Sequence, residues 1–472
     1  MKKTVYILGG GITGLASAYE LLKHGHNVEI IEKSSMIGGL ARTETWKGRP
    51  IDMGPHIYHT PDDDIKNYLL TEFEGLFFER DHWAKNFKNG KFYDYPISRE
   101  FINSLPKKTS DKINDELAKV NPDDLSKANN YYEYTKALAG NTLQELFFTK
   151  YPEKLWGIPT KELDANWAPK RVQITEERRA FYQDQWSAVG NEGSGTILGC
   201  LEKKVLDLGG TINLKETIKN IQLSNNNNIN KIVTDKRDIN LMPKDIVINT
   251  TSCTNFSRFL GFETNLKYRG VILVMLELST AKVLPEGVDF IYIDDEDIFF
   301  NRVSDQNSFI KDPSPDTTIM CCEITYSPDD KYDVMNEDEL FKNVKTQFVS
   351  LGLCKSDQIT DFKIIKLPEV YPMYIKGYQA ALAETREKFD KILNLYTLGS
   401  LAEFIYADLQ ILFSKAIDLA QIISDKTFKI NSIDKTNPRL DFNKIVSIKD
   451  KCVGIDHGTF LIEEIGLNHN GR

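Results

Sequence analysis

The stretch IDMGPHIYHT (51–60) places His56 and His59 three residues apart behind a Gly-Pro, in a chain with only seven histidines. Such a pair can hold a metal, act as an acid and base, or shape a wall around a larger ligand. A zinc site needs more nitrogen or sulfur ligands at workable spacing. The remaining histidines (His24, His26, His82, His457, His469) are scattered and the six cysteines form no C-x-x-C, so no metal is expected. A second set of residues indicates what the wall would enclose. Gly9, Gly11 and Gly14 spell G-x-G-x-x-G within VYILGGGITGLASAYELLKHGHNVEIIEK, and Glu32 follows eighteen residues after Gly14. Gly9 permits a tight turn, Gly11 lets the backbone approach a pyrophosphate, and Gly14 lets a helix meet a strand. A carboxylate at Glu32 accepts from ribose hydroxyls. The chemistry is dinucleotide binding.

The elements around these residues fit that purpose. Val5–Leu8 reads as a buried strand, and Thr13–His24 as a helix with Leu15, Ala18 and Leu22 at helical spacing. Gly25 stands where a helix end wants a left-handed residue, and Val28–Glu32 is the second strand. The helix N-terminus offers its positive dipole end to the phosphates. Next comes SSMIGGLART, with the doublet Gly38–Gly39 and then Arg42, where an NAD domain would continue into another helix and strand. This irregular, glycine-punctuated layout resembles FAD proteins of the amine-oxidase and mutase superfamily. The resemblance implies FAD, with Gly38, Gly39, Arg42 and His59 beside it. His56 and His59 then read as residues packed against the isoalloxazine ring.

Further pieces narrow the resemblance. GPHIYHT is similar to a segment of the UDP-galactopyranose mutases in which the histidine after proline borders the flavin. NGKFYDYPI (89–97), LQELFFTKYPEKLWGIPTKELDANWAPKR (143–171), FFNRVSD (299–305), VYP (370–372) and LGSLAEFIYADLQ (398–410) follow in the family's order, so the likeness spans about residues 1–430. It implies that Phe147, Phe148 and Tyr151 line a uridine pocket, with Tyr151 stacked on the base and Trp156 at the sugar-diphosphate cleft. Arg171 and Arg302 would grip the diphosphate, joining His56 as catalytic residues. Tyr182, Tyr371 and Tyr406 would donate hydroxyls to phosphate oxygens, and Asp408 would lie beside the flavin. Guanidinium suits a diphosphate through bidentate, charge-assisted bonds. One departure stands out. Ser400 takes the place of the family's arginine after the glycine, and Phe404 and Ile405 replace an aromatic–arginine pair.

The implied enzyme is a flavin-dependent isomerase, a nucleotide-sugar mutase of the UDP-galactopyranose mutase type. It would interconvert pyranose and furanose forms through a flavin N5–sugar adduct. Only reduced FAD is nucleophilic, so an external reductant such as NAD(P)H is implied. An oxidase or desaturase on the same fold, or a non-catalytic flavin or nucleotide-sugar binder, remain as alternatives.

The chain of 472 residues exceeds a single core. The expected class is α/β. A Rossmann-like FAD-binding domain would be assembled from 1–65, 190–252 and 381–430. A helical cap would span 66–189, an antiparallel substrate-side sheet 253–380, and a C-terminal extension 431–472. IKNIQLSNNNNINKIVTD (218–235) reads as a hairpin with an Asn-rich tip, and DIVINT (245–250) as a returning strand. The ending GTFLIEEIGLNHNGR resembles the opening of sialic-acid synthases, which implies a fused or partner sugar-acid synthase and surface-polysaccharide biosynthesis. With 41% hydrophobic and 27% charged residues and a net charge of −9, neither nucleic acid nor an anionic membrane is the expected main partner. The apolar run in MKKTVYILGGG is too short for a signal peptide, and VILVMLEL (271–278) has strand length. A cytoplasmic protein with free buried thiols is expected, and a homo-oligomer is left open.

Overall fold

The computed structural model describes residues 2–169, 172 and 174–425, and the backbone of 446–448 and 451–453. Arg171 and the sialic-acid-synthase-like ending (458–472) therefore lie outside the described residues. The chain divides into two compact units. One takes the chain to Phe78, Ala188–Lys267 and the segment from Tyr378; the other takes Glu79–Ser187 and Tyr268–Gly377. Three folded parts were expected before the extension. Cap and substrate-side sheet instead fall in one unit, because strands from the cap segment pair into the sheet.

The first unit is built on a five-stranded parallel sheet, in the order Thr211–Asn213, Asn27–Ile31, Thr4–Leu8, Ile246–Asn249, Leu395–Thr397. Its central strands are near-continuous apolar runs, as a sheet covered on both faces requires. Helix Ile12–Lys23 packs against helices Gly195–Asp207 and Leu409–Ser424. Gly25 has φ +81°, so the helix ends as the sequence indicates. The expected hairpin is present as Ile218–Leu223 and Ile229–Thr234, with Asp238–Asn240 added as a third antiparallel strand.

The second unit holds a seven-stranded sheet. Its order is Ile359–Pro372, Tyr268–Leu278, Thr318–Tyr326, Arg302–Asp305, Phe290–Ile293, Ala84–Lys88, Lys91–Tyr95. The pairs are antiparallel, except that Phe290–Ile293 runs parallel to Ala84–Lys88, which makes the sheet mixed. Leu276, Met320 and Ile291 are buried in its apolar core. Helices Lys107–Leu117, Tyr131–Phe147 and Lys150–Trp156 enclose a second core around Trp156, Trp167 and Tyr131. The stretch FFTKYPEKLWG, which resembles a single helix in the mutases, is interrupted between Phe147 and Lys150, and the helix that leads into it is kinked upstream at Gly140 (φ +75°). The Thr149 hydroxyl donates to the Gln144 carbonyl (2.9 Å) where the first helix ends.

Candidate functional site

In the first unit the glycine turn and its acid are locked together. Gly10 N–H donates to Glu32 Oε2 (2.7 Å) and Ser34 N–H to Glu32 Oε1 (2.7 Å). A Cβ on Gly14 would stand 2.1 Å from the Gly9 carbonyl oxygen, so only glycine allows the helix to approach. Gly38 and Gly39 both have positive φ, and Gly38 N–H donates to the Gly10 carbonyl (2.8 Å), laying the doublet against the turn. On the side-chain face of Gly11, the nearest atom is Gly39 Cα at 4.0 Å. That open face, beside the N-terminus of a twelve-residue helix, fits a dinucleotide pyrophosphate.

Two of the other expected cofactor contacts are already engaged. Arg42 Nε and Nη2 each lie 3.0 Å from Glu44 Oε1, and Nη1 donates to the Gly39 carbonyl (3.0 Å). His59 is buried, with Nε2 3.7 Å from Asp408 Oδ2 and 3.4 Å from Gln410 Nε2. His56 is half-buried, and its Nδ1 lies 2.9 Å from the Gly54 carbonyl. The two histidines thus part company, one joined to Asp408 and one to its own turn. Tyr406 and Ser400 sit on the turn leading to Asp408, where Ser400 Oγ donates to the Ala407 carbonyl (3.4 Å). Among the described residues no group of three His, Cys, Asp or Glu could hold a metal ion.

In the second unit, sheet register brings together residues far apart in the chain. Tyr292 pairs with Arg302, and Arg302 with Glu323, in one row across three strands. Glu323 grips the guanidinium with both oxygens, 2.6 Å from Nε and 2.8 Å from Nη2. Burial opposes the charge on Arg302, yet the Glu323 carboxylate holds its pKa above the ordinary value. Tyr151 lies edge-on to Tyr292 (5.1 Å between ring centres), and Tyr292 edge-on to Tyr95 (4.9 Å). Trp156 meets Tyr371 at 6.2 Å. Burial, then the neighbouring Tyr292, push the Tyr151 phenol well up, so it stays a neutral hydroxyl.

Phe147 and Phe148 are buried, with Phe147 edge-on to Tyr93 and Phe101. Tyr182 packs on Phe181 (4.7 Å). Arg302, Tyr151, Trp156 and Tyr371 thus lie near one another, and Phe147, Phe148 and Trp156 belong to the core beside them.

The sequence reading missed three residues. Tyr292 and Glu323 complete the Arg302 cluster, and Glu116 caps the helix segment leading to Phe147 by accepting from Thr142 N–H (2.7 Å) and Oγ1 (2.9 Å). The only sequence signal for Glu323 is a lone acid in the apolar strand TIMCCEITY.

A family model described as UDP-galactopyranose mutase matches residues 146–347, and an NAD(P)-binding Rossmann-like model matches 7–71. Over residues 146–347 the chain is UDP-galactopyranose mutase-like. The two matches together indicate FAD as the dinucleotide. A probable UDP-galactopyranose mutase of Klebsiella pneumoniae is 27% identical over 169 residues, 35% of this chain and 44% of that protein. A dTDP-fucopyranose mutase of Escherichia coli is 28% identical over 187 residues, 39% of this chain and 48% of that one. The chain thus spans about half the length of the curated relatives it matches. Among solved structures, a reduced UDP-galactopyranose mutase aligns with TM-score 0.75 at 17% identity, covering 93% of this chain and 99% of its own. A putrescine oxidase variant aligns at 0.62 and 16%, covering 90% and 99%. Both likenesses speak for the fold.

Proposed function

We propose that the chain is a flavin-dependent isomerase that interconverts pyranose and furanose forms of a nucleotide sugar. The observation that carries this reading is the Arg302–Glu323 pair set among Tyr151, Tyr292 and Tyr371, within or beside the segment that matches the mutase family. Such a cluster offers one oriented cation and several neutral donors, which suits a diphosphate that must leave and return. Glu323 fixes the plane of the guanidinium through Nε and Nη2, so Nη1 is the nitrogen left to meet a phosphate oxygen. Tyr151 and Trp156 position the base and sugar, and Tyr182, Tyr406 and Arg171 add phosphate donors.

FAD is held by the Gly9–Gly14 turn, Glu32, Gly38, Gly39 and Arg42, with His56, His59 and Asp408 about the ring. When bound and reduced, it supplies a nucleophile for the anomeric carbon. Holding the sugar in one orientation and excluding water are the chain's own contributions. The protein acts in the cytoplasm on a soluble nucleotide sugar, with NAD(P)H as reductant and a sugar-acid synthase as fused or neighbouring partner in surface-polysaccharide synthesis. No helix among the described residues is long and apolar enough to cross a membrane.

The test is to reduce the protein anaerobically, add UDP-, dTDP- or GDP-sugars with cyanoborohydride, and weigh the released flavin. The expected result is a flavin heavier by one sugar with a single nucleotide class. Unchanged FAD with every sugar, together with peroxide formation in air, would favour the oxidase alternative.

A further inference from the structure

A buried ion pair lies beneath the turn that follows the last strand of the first unit. Lys415, in helix Leu409–Ser424, is 1% exposed and its Nζ meets Glu403 Oε1; Glu403 is 8% exposed. Taking two charges out of water costs more than an isolated pair returns, so such a pair persists where its remaining bonds do something specific. Here they do. Glu403 Oε2 accepts from Gly399 N–H (2.8 Å) and so closes the turn on itself. The Glu403 carbonyl accepts from Arg386 Nη2 (3.0 Å), and the neighbouring Ala402 carbonyl from Cys253 Sγ (2.8 Å).

Gly399 has φ +113°, and a Cβ there would lie 3.1 Å from Thr13 Oγ1, so the turn is seated on the residue preceding Gly14. Lys415 follows Asp408 by seven residues, two helical turns. Fixing Lys415 inward therefore fixes the rotation of the helix that presents Asp408 and Gln410 to His59.

We propose that Glu403 and Lys415 are a positioning pair that sets the Gly399–Asp408 turn against the dinucleotide-binding turn before FAD arrives. The inference rests on the FAD reading above. Neither side chain touches the cofactor; the pair acts through Gly399 N–H on one side and through the setting of Asp408 on the other.

Removing one partner leaves a buried charge without its counterion, so the informative change is the apolar double variant E403L/K415M. It removes both charges and the acceptor for Gly399. Hydrogen exchange of peptides spanning 399–408 should be faster in the variant than in the parent. FAD affinity should fall about tenfold or more, and the flavin midpoint potential should shift. Unchanged exchange in those peptides would overturn the proposal whatever happens to the flavin. Faster exchange in the variant, found together with a parent protein that binds no FAD, would leave the pair's ordering role standing and sink the FAD reading instead. Should that double variant not fold, E403Q/K415M removes both charges and keeps an oxygen for Gly399 N–H. Exchange at Gly399 should then stay slow while Asp408-side peptides loosen, and uniform loosening would count against the proposal.

Discussion

At the scale of single residues, the proposed substrate side turns on Arg302 and Glu323. A guanidinium held by two carboxylate contacts has a fixed plane, which a lysine cannot reproduce. Arg302→Lys keeps the charge and loses the fork. Binding of UDP, read by calorimetry, is expected to weaken by about 10- to 100-fold, the worth of one charged hydrogen bond. Bound FAD per chain, read from flavin absorbance, should not change. UDP binding at the parent's level would remove Arg302 from the diphosphate site. Glu323 was the residue hardest to see in advance. Its role comes from strand register, in which position 323 stands opposite 302 and position 302 opposite 292. Alternation along a strand shows which residues share a face, and says nothing about which strand lies alongside. The glycine turn and Glu32 were legible for the opposite reason, since their chemistry depends on short spacing along one strand–turn–helix unit.

Individual elements are set by caps and turns whose perturbation can be measured. Helix Lys150–Trp156, which carries Tyr151 and Trp156, ends at Gly157 with φ +65°. A Cβ there would meet Arg269 Nη2 at 2.6 Å, and Arg269 itself holds the Leu155 carbonyl through Nε (3.2 Å). Gly157→Ala should therefore cost more than about 1 kcal/mol in urea unfolding. In the first unit, Asp52 and Thr43 cap helix Gly195–Asp207. Ser194 N–H donates to Asp52 Oδ2 (3.1 Å), Gly195 N–H to Thr43 Oγ1 (2.6 Å), and the Thr43 hydroxyl to Asp52. Burial pushes the Asp52 carboxyl from 3.8 up to about 7, against the lowering effect of Thr43 and Ser194. Between those values the folded chain holds a proton that the unfolded chain has released. Stability contributed by Asp52 is therefore full below the lower value and falls as pH rises through the higher one. Asp52→Asn should flatten that decline when unfolding free energy is followed across the window, and an unchanged slope would assign the titration elsewhere. Nothing in RPIDMGP announces a buried acid at a helix start 142 residues downstream; that pairing exists only after folding.

For the whole molecule, two compact units stand where three folded parts were expected, and the reason is physical. Residues 84–95 sit among helices in the sequence and read as part of a cap, yet their two strands complete the sheet built from 268–372. A parallel pairing across about two hundred residues leaves no local trace. The residues proposed to hold the dinucleotide lie wholly in the first unit and the Arg302 cluster wholly in the second. That partition has a consequence which two variants can separate. Gly14→Ala forces the helix off the glycine turn, where a Cβ has no room beside the Gly9 carbonyl, so FAD should be lost. The Arg302 cluster is untouched, and UDP binding followed by tryptophan fluorescence should persist. Arg302→Lys should do the reverse, keeping FAD and weakening UDP. Each change removing one ligand and sparing the other would support the assignment of cofactor and nucleotide sugar to separate sets of side chains. Loss of both ligands in a variant that still unfolds cooperatively would mean that one of the two sets has been misassigned.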